Sequence, residues 1–412
     1  MGVRRAAGSP DGLGTSGTGP THATIETTAV PNAHCPTLHA LRPMPPICTR
    51  GRCLATSPLP SPPRPPRTPM SVSVTASAAE AAIAAAVADQ LPGAEVVHIQ
   101  PLAGGACQDN IRVDLRTPDG PLRLVVRSDA PSGIPGTLDR QAEFDILRAA
   151  VAAGVRTPAA RWLTDGLLRD GAWAYFMDWS EGVAIGRQVL KTPELEGARA
   201  ALPAQLAAQA ARIHSITPNT EPGASITAVT PPSDGDAVLE GLRLLRAMID
   251  RLAAPTPATE LIYRWLAEHP PPSREVTLVH GDFRTGNFMV GPSGLEALLD
   301  WEFARWSSPF EDLAWISVRD WRFNRIAAPV GGFAQRAPFY AAYEEASGRS
   351  VALQDIHWWE INGNLRWAVG CAFQAQRYAE GQKDLELIAI GRRAAEMEYE
   401  ALRLIRRGVE GL

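Results

Sequence analysis

The chain has 412 residues, 45% of them hydrophobic, enough for the cores of two lobes. A net charge of −4 argues against nucleic acid as a partner, and the lack of any run of eighteen apolar residues argues against a membrane-spanning helix. Cys35, Cys48, Cys53, Cys107 and Cys371 show no metal-ligand spacing. Only two of them lie beyond residue 69, which favours a reducing cytoplasm over a disulfide framework.

Residues 1–69 hold 14 of the 36 prolines, with many Ser, Thr and Gly and no apolar periodicity. Pro62-Pro-Arg-Pro-Pro-Arg67 favours extended, solvated backbone. The composition predicts a disordered leader, with Met70 as the preferred start of the folded chain and an over-extended reading frame as its origin. A strand-rich segment, 70–178, and a helical one, 179–412, follow.

Ala76–Leu91 is Ala-rich and ends at Pro92-Gly93, which predicts a helix. Glu95–Pro101 reads as a strand. After Gly104-Gly105, Ile111–Leu115 and Leu122–Arg127 alternate strictly across the turn Thr117-Pro-Asp-Gly120, the pattern of a hairpin. Backbone N–H groups of such a glycine turn can cradle phosphates, and an ordinary hairpin turn is the alternative. Leu138–Ala153 reads as a helix closed by Gly154. Glu143 shares its apolar stripe with Ile146, Leu147 and Ala150, so it is expected to face inward and to need a cation, or else to form a rim salt bridge. Ala172–Trp179 is a buried strand broken by Ser180-Glu-Gly182, a hinge whose backbone can pair with an adenine edge.

Helical periodicity follows over 198–216, 237–252 and 259–268, starts again at Phe310, and continues over 338–347, 355–379 and 383–409. Within this half stands His280-Gly-Asp282-Phe-Arg-Thr-Gly-Asn287, with Asp300 thirteen residues on. Val276–Val279, Phe288–Val290 and Leu295–Leu299 flank these residues as short strands. Asp282 and Asn287 then share a loop, and Asp300 leaves the end of the returning hairpin. Two carboxylates and a carboxamide at one point suit a hard cation such as Mg²⁺, with a base to orient a phosphoryl acceptor. A metallohydrolase using His280 and Asp282 is a second reading, but it needs further His or Cys ligands, and His98, His214, His269 and His357 are scattered. Tryptophans at 301, 306, 315, 321, 358, 359 and 367 predict a core, some of it open to an acceptor. Glu302, Glu311 and Asp312 suggest either an acidic face for a cationic acceptor or plain surface, with Asp312 as a helix cap.

The loop and following aspartate resemble the catalytic loop and metal aspartate of kinases, with Gly281 where those have Arg. Leu278-Val-His-Gly-Asp282 with Asn287, Leu299-Asp-Trp-Glu302, Pro309-Phe-Glu-Asp-Leu-Ala-Trp315 and Ala211-Arg-Ile-His214 together resemble the aminoglycoside phosphotransferase family. The branch it is most similar to is the kinase-like part of some acyl-CoA dehydrogenase fusions. The resemblance covers roughly residues 95–380. It implies a two-lobed, protein-kinase-like α+β fold, with a small β-rich nucleotide-binding lobe and a larger helical lobe. It also implies transfer of the γ-phosphoryl group of ATP or GTP to a small-molecule hydroxyl. Asp282 would be the base, His280 would brace the loop, and Asn287 and Asp300 would hold Mg²⁺. Gly104 and Gly105 would lie over the triphosphate, and Met177 and Trp179 against the base. Kinases pair a strand Lys with a helix Glu. Here Lys191 and Lys383 are the only lysines, and Arg127 with Glu143 is the matching pair. A nucleotide-binding pseudokinase, or a kinase with an amine acceptor, remains open.

Overall fold

The hairpin Gln108–Thr117 and Gly120–Asp129 closes through the two residues Pro118 and Asp119 because Gly120 takes φ +120°. In the computed structural model the described residues are 76–102, 108–129 and 136–412, with the short strands β1 (Cys48–Thr49) and β2 (Arg52–Cys53). The rest of the 1–69 leader, Gly104 and Gly105 lie outside the described residues. Helix α1 (Ala76–Gln90) precedes β3 (Glu95–Pro101), β4 (Gln108–Thr117) and β5 (Gly120–Asp129). Helix α2 (Arg140–Ala152) starts at Asp139, whose side chain accepts the Ala142 amide at 2.8 Å. Strands β6 (Ala160–Asp165) and β7 (Trp173–Asp178) complete an antiparallel sheet of order β3-β4-β5-β7-β6.

Alternation gives this sheet two different faces. Val113, Leu115, Leu124, Val126 and Phe176 pack with Ile83 and Val87 of α1. Val125 and Arg127 of β5 stand opposite Met177 and Tyr175 of β7 and turn the other way, toward α2 and the helical lobe. β6 went unseen in the sequence because Trp162 takes φ 46° and the register shifts between Arg161 and Thr164, which erases the period of two.

The helical lobe begins with α3 (Gly186–Lys191) and α4 (Glu196–His214), followed by α5 (Ala237–Ile249) and α6 (Pro257–Glu268). Asp236 and Thr256 cap the last two. β8 (Thr277–Val279) pairs antiparallel with β11 (Arg305–Ser307), and between them lies the hairpin β9 (Phe288–Gly291) and β10 (Gly294–Leu298). Val183 exchanges two backbone bonds with Val290, at 2.9 and 3.0 Å, and so ties the interlobe linker to β9. α7 (Pro309–Trp315), α8 (Arg336–Ser347), α9 (Leu353–Ala379), α10 (Leu385–Gly391) and α11 (Ala394–Arg407) finish the chain.

The periodic segment 383–409 is therefore two helices, not one. Gly391 lies so close to α9 that a Cβ there would stand 2.7 Å from the Ala375 Cβ. The chain turns over Arg392 and Arg393 before α11 lays Met397, Ala401 and Leu404 on the core. One apolar cluster runs from Ile146 and Leu147 of α2 through the helical lobe to Leu404. Trp301, Trp306, Trp358 and Trp359 belong to it. No helix among the described residues is long and apolar enough to cross a membrane.

Candidate active site

β8 delivers the loop 280–287, and Gly281 lets it pass under the approach to β11. Gly281 takes φ +78°, and a Cβ would stand 2.1 Å from Phe303 O. The loop is held from below by Asp312. This fully buried carboxylate accepts the His280 amide at 2.7 Å and the Gly281 amide at 3.0 Å. His214 Nε2 lies 3.3 Å from the same carboxylate, while its Nδ1 meets Tyr343 Oη at 2.9 Å. Burial alone would raise the Asp312 carboxyl, but the contacts with His214 and His280 outweigh it and hold the group below the usual aspartate range. Asp312 is thus not the cap of its helix. Ser308 caps α7, accepting the Phe310 amide at 3.4 Å, and Asp312 lies inside the first turn, facing β8.

His280 is buried and makes its bonds inside the protein. Nε2 donates to Leu299 O at 2.9 Å, and Nδ1 accepts the Asp282 amide at 3.3 Å. It joins the loop to the end of the returning hairpin. Asp282 receives three donors. Trp315 Nε1 donates to Oδ1 at 2.7 Å, Asn287 Nδ2 to Oδ2 at 2.6 Å, and Arg284 Nε to both, at 3.0 and 3.1 Å. The Arg284 guanidinium also lies over the Trp321 ring, 4.3 Å from its centre.

Asp300 follows β10 in a left-handed conformation, φ 67°. Asn287 stands across from it, since Leu299 donates its amide to Asn287 O at 2.8 Å. From the sheet, Arg127 Nη2 reaches Asp300 Oδ1 at 2.5 Å and Glu143 Oε1 at 3.1 Å. Glu143, 1% exposed, is also gripped by Arg140, which in turn contacts Asp129 at 3.3 Å. Burial would lift the Asp300 carboxyl, yet Arg127, with Arg284 and His280 further off, keeps it below the ordinary range. Burial and the neighbouring Asp300 push Glu302 up to about 7.

Asp282, His280, Asn287, Asp300, Arg127 and Glu143 are thus brought together, and Met177 shares the Arg127 face of the sheet. Trp179 follows directly after β7. Its amide donates to Arg123 O at 3.3 Å, and the Arg112 and Arg123 guanidinium groups lie 5.4 and 5.2 Å from its ring. The acidic face expected of Glu302, Glu311 and Asp312 is absent, because all three are buried. Glu311 binds Arg305, Arg366 at 2.6 Å and Ser307 at 2.6 Å, since the protein's own arginines reach it first. Trp315, Arg284 and Arg140 were missed as site residues. The Arg two places after Asp282 and the Trp three places after Asp312 were the available signals.

Mg²⁺ was implied by the resemblance, and the donor set fits it. Asn287 Nδ2 is spent on Asp282 O at 3.1 Å and on Asp282 Oδ2, which fixes the amide with its oxygen left over. With the Asp300 carboxylate this gives hard oxygen donors on one hairpin.

A family model for the phosphotransferase enzyme family matches residues 98–348, more than half of the chain. Mouse acyl-CoA dehydrogenase family member 10 is 29% identical over 205 residues, a match covering 47% of this chain and only 18% of that protein. The chicken family member 11 is 40% identical over 64 residues, 15% of this chain and 8% of that one. Among solved structures, a candidate aminoglycoside phosphotransferase of Ralstonia eutropha JMP134 superposes with a TM-score of 0.63 at 19% identity, over 80% of this chain and 98% of that one. An aminoglycoside phosphotransferase complexed with AMP-PNP and hygromycin B gives 0.52 at 14% identity, over 79% and 98%. The two-lobed, kinase-like fold expected from the sequence is the fold of this protein, and the chain belongs to the phosphotransferase enzyme family.

Proposed function

We propose that this chain is a small-molecule kinase that moves the γ-phosphoryl group of ATP or GTP to a hydroxyl. The observation that carries the reading is the loop and following hairpin that present Asp282, Asn287 and Asp300 together, with Arg127 reaching Asp300 from the sheet. Solved relatives complexed with GDP and with AMP-PNP support a nucleotide in the cleft. Asp282 orients the acceptor O–H and takes its proton as the new O–P bond forms and the bond to the β–γ bridging oxygen breaks. Trp315 and Asn287 each hold one Asp282 oxygen, so the contact that the acceptor replaces is the divided one from Arg284. Arg127 provides a guanidinium for the phosphates, and Glu143 and Arg140 keep it in place. Asn287 and Asp300 would hold Mg²⁺, which when bound neutralises phosphate charge. The cysteine usage supports a cytoplasmic setting.

A nucleotide-binding pseudokinase is the second reading, favoured by the ion pairs that cover both Asp282 and Asp300. Incubation with Mg·ATP and a panel of hydroxylated compounds, read by product mass, separates the two. Transfer that disappears in Asp282→Asn supports the kinase. Nucleotide binding with no transfer to any acceptor supports the alternative.

A further inference from the structure

The peptide bond between Gly281 and Asp282 is held at both of its polar groups. Its N–H, that of Asp282, donates to His280 Nδ1 at 3.3 Å. Its carbonyl, that of Gly281, accepts Arg366 Nη2 at 2.8 Å. Arg366 comes from α9, 85 residues further along the chain, so the loop is reached from a second helix as well as from Asp312 on α7.

The same guanidinium covers the Trp315 indole, 3.7 Å from the centre of the ring. Trp315 Nε1 in turn donates to Asp282 Oδ1 at 2.7 Å. One side chain therefore touches two supports of the Asp282 carboxylate. These are the backbone that carries its Cα and the indole that holds one of its oxygens. The packing of α9 suits this use. Gly363 stands three residues before Arg366, on the same face of the helix. A Cβ there would stand 3.2 Å from Trp315 Cε3 and 2.9 Å from Val318 Cγ2, so the missing side chain lets the indole lie against the helix.

The ion pair with Glu311 does not by itself explain Arg366. Glu311 also binds Arg305 and accepts Ser307 Oγ at 2.6 Å, so two cations share one carboxylate that keeps partners without Arg366. Burial brings the Arg366 guanidinium down to about 10, against the pull of Glu311 and Asp282, so the group is still a cation at neutral pH.

We propose that Arg366 is a positioning residue for phosphoryl transfer. From α9 it fixes both the Gly281–Asp282 peptide and the Trp315 indole, and so aims the Asp282 carboxylate at the acceptor hydroxyl. This rests on the kinase reading above and adds to it a residue outside the loop and the hairpin. Its loss shows in kcat rather than in KM, because a displacement of about 1 Å at the base costs on the order of a hundredfold in rate while the binding surfaces stay in place.

The test compares the full chain with Arg366→Met and Arg366→Lys. Methionine keeps an apolar stem against the indole and removes the donor and the charge. Turnover is read as phosphoryl transfer from Mg·ATP to water and to a panel of hydroxylated compounds. A second reading needs no turnover: exchange of the Trp315 indole N–H followed by NMR, with the resonance identified by its loss in Trp315→Phe. Arg366→Met should lower kcat at least tenfold, change KM for nucleotide and acceptor less than threefold, and expose the Trp315 N–H to faster exchange. Arg366→Lys should recover part of the rate, since an ammonium keeps the charge but cannot bond Gly281 O and lie flat on the indole at once. Arg366→Met should cost nothing further in an Asp282→Asn background, because both act through one carboxylate. A rise in KM with kcat kept, unchanged Trp315 exchange, or equal loss of melting temperature and rate in both variants overturns the proposal and leaves the kinase reading standing. No transfer by the parent to any acceptor overturns the kinase reading, and the indole exchange then still decides whether Arg366 holds the Asp282 loop.

Discussion

Asp312 accepts the backbone N–H of His280 at 2.7 Å from 32 residues further along the chain. It accepts that of Gly281 as well, so one buried carboxylate sets the path of the loop that carries Asp282. Asp312→Ala should cost about 3–5 kcal/mol, because it leaves two buried amides and His214 without their acceptor. Asp312→Asn should cost less and still lower kcat at least tenfold, with nucleotide affinity nearly unchanged. Urea unfolding beside steady-state kinetics reads both effects. A fall in nucleotide affinity alone would assign Asp312 to the nucleotide rather than to the loop.

Asp282 and Asp300 should fail differently. Asp282→Asn keeps the shape of the side chain but removes the basic oxygen, so transfer should fall by several orders of magnitude with Mg·nucleotide binding largely intact. Asp300→Asn should weaken metal-dependent nucleotide binding and leave metal-free binding less affected. Fluorescent-nucleotide titrations with and without Mg²⁺ distinguish the two. Parent-like turnover in both variants would sink the kinase reading.

Arg127 and Glu143 form a buried pair, but they are not equivalent. Without Arg127, Glu143 still has Arg140, whereas without Glu143 two arginines lose their shared acceptor. Glu143→Ala should therefore destabilise more than Arg127→Ala, while Arg127→Ala should lower nucleotide affinity or turnover tenfold or more. Arg127→Lys should recover only part of the loss, since an ammonium cannot reach Glu143 and Asp300 with a planar fork. The double variant should be less than additive. Thermal melts with nucleotide titrations decide the ranking.

Acid should loosen the end of the helical lobe. Glu400 is buried on α11 and binds Arg403 at 2.6 Å, Arg322 at 3.1 Å and Arg319 at 3.3 Å. Burial works to raise its carboxyl, but these arginines prevail and hold it at about 2, against 4.5 for an ordinary glutamate. A carboxyl held low in the folded state stabilises fully above its unfolded value, and that contribution drains away as pH falls from about 4.5 toward 2. Unfolding free energy measured from pH 7 to pH 3 should fall less steeply in Glu400→Gln than in the parent. Parallel profiles would exclude Glu400 as a source of acid sensitivity.

Much of the site was legible because the chemistry is local in sequence. Asp282, Asn287 and Asp300 lie on one loop and one hairpin, and short strands with a Pro-Ser turn are strong signals. Glu143 was legible because a carboxylate on an apolar helix stripe needs a cation. The partners that come from elsewhere were not. The Trp315 bond to Asp282 depends on α7 packing under β8, and the Asp312 role depends on which side of α7 faces the loop. The sequence likewise does not reveal that Arg112 and Arg123 flank the Trp179 ring. The break at Gly391 was hidden because its cause is the closeness of Ala375, sixteen residues back on another helix.

The contact between Arg127 and Asp300 fastens the strand-rich lobe to the helical one, with a longer ion pair between Arg140 and Glu302 beside it. A triphosphate draws on the arginine and a divalent cation draws on the aspartate, so each arrival releases the group the other needs. Metal and nucleotide should then bind with positive cooperativity, and the reciprocity is exact in free energy: whatever factor Mg²⁺ adds to nucleotide affinity, nucleotide adds to Mg²⁺ affinity. The interlobe fastening thereby becomes a shared latch: either ligand loosens it, and the second to arrive finds it already open.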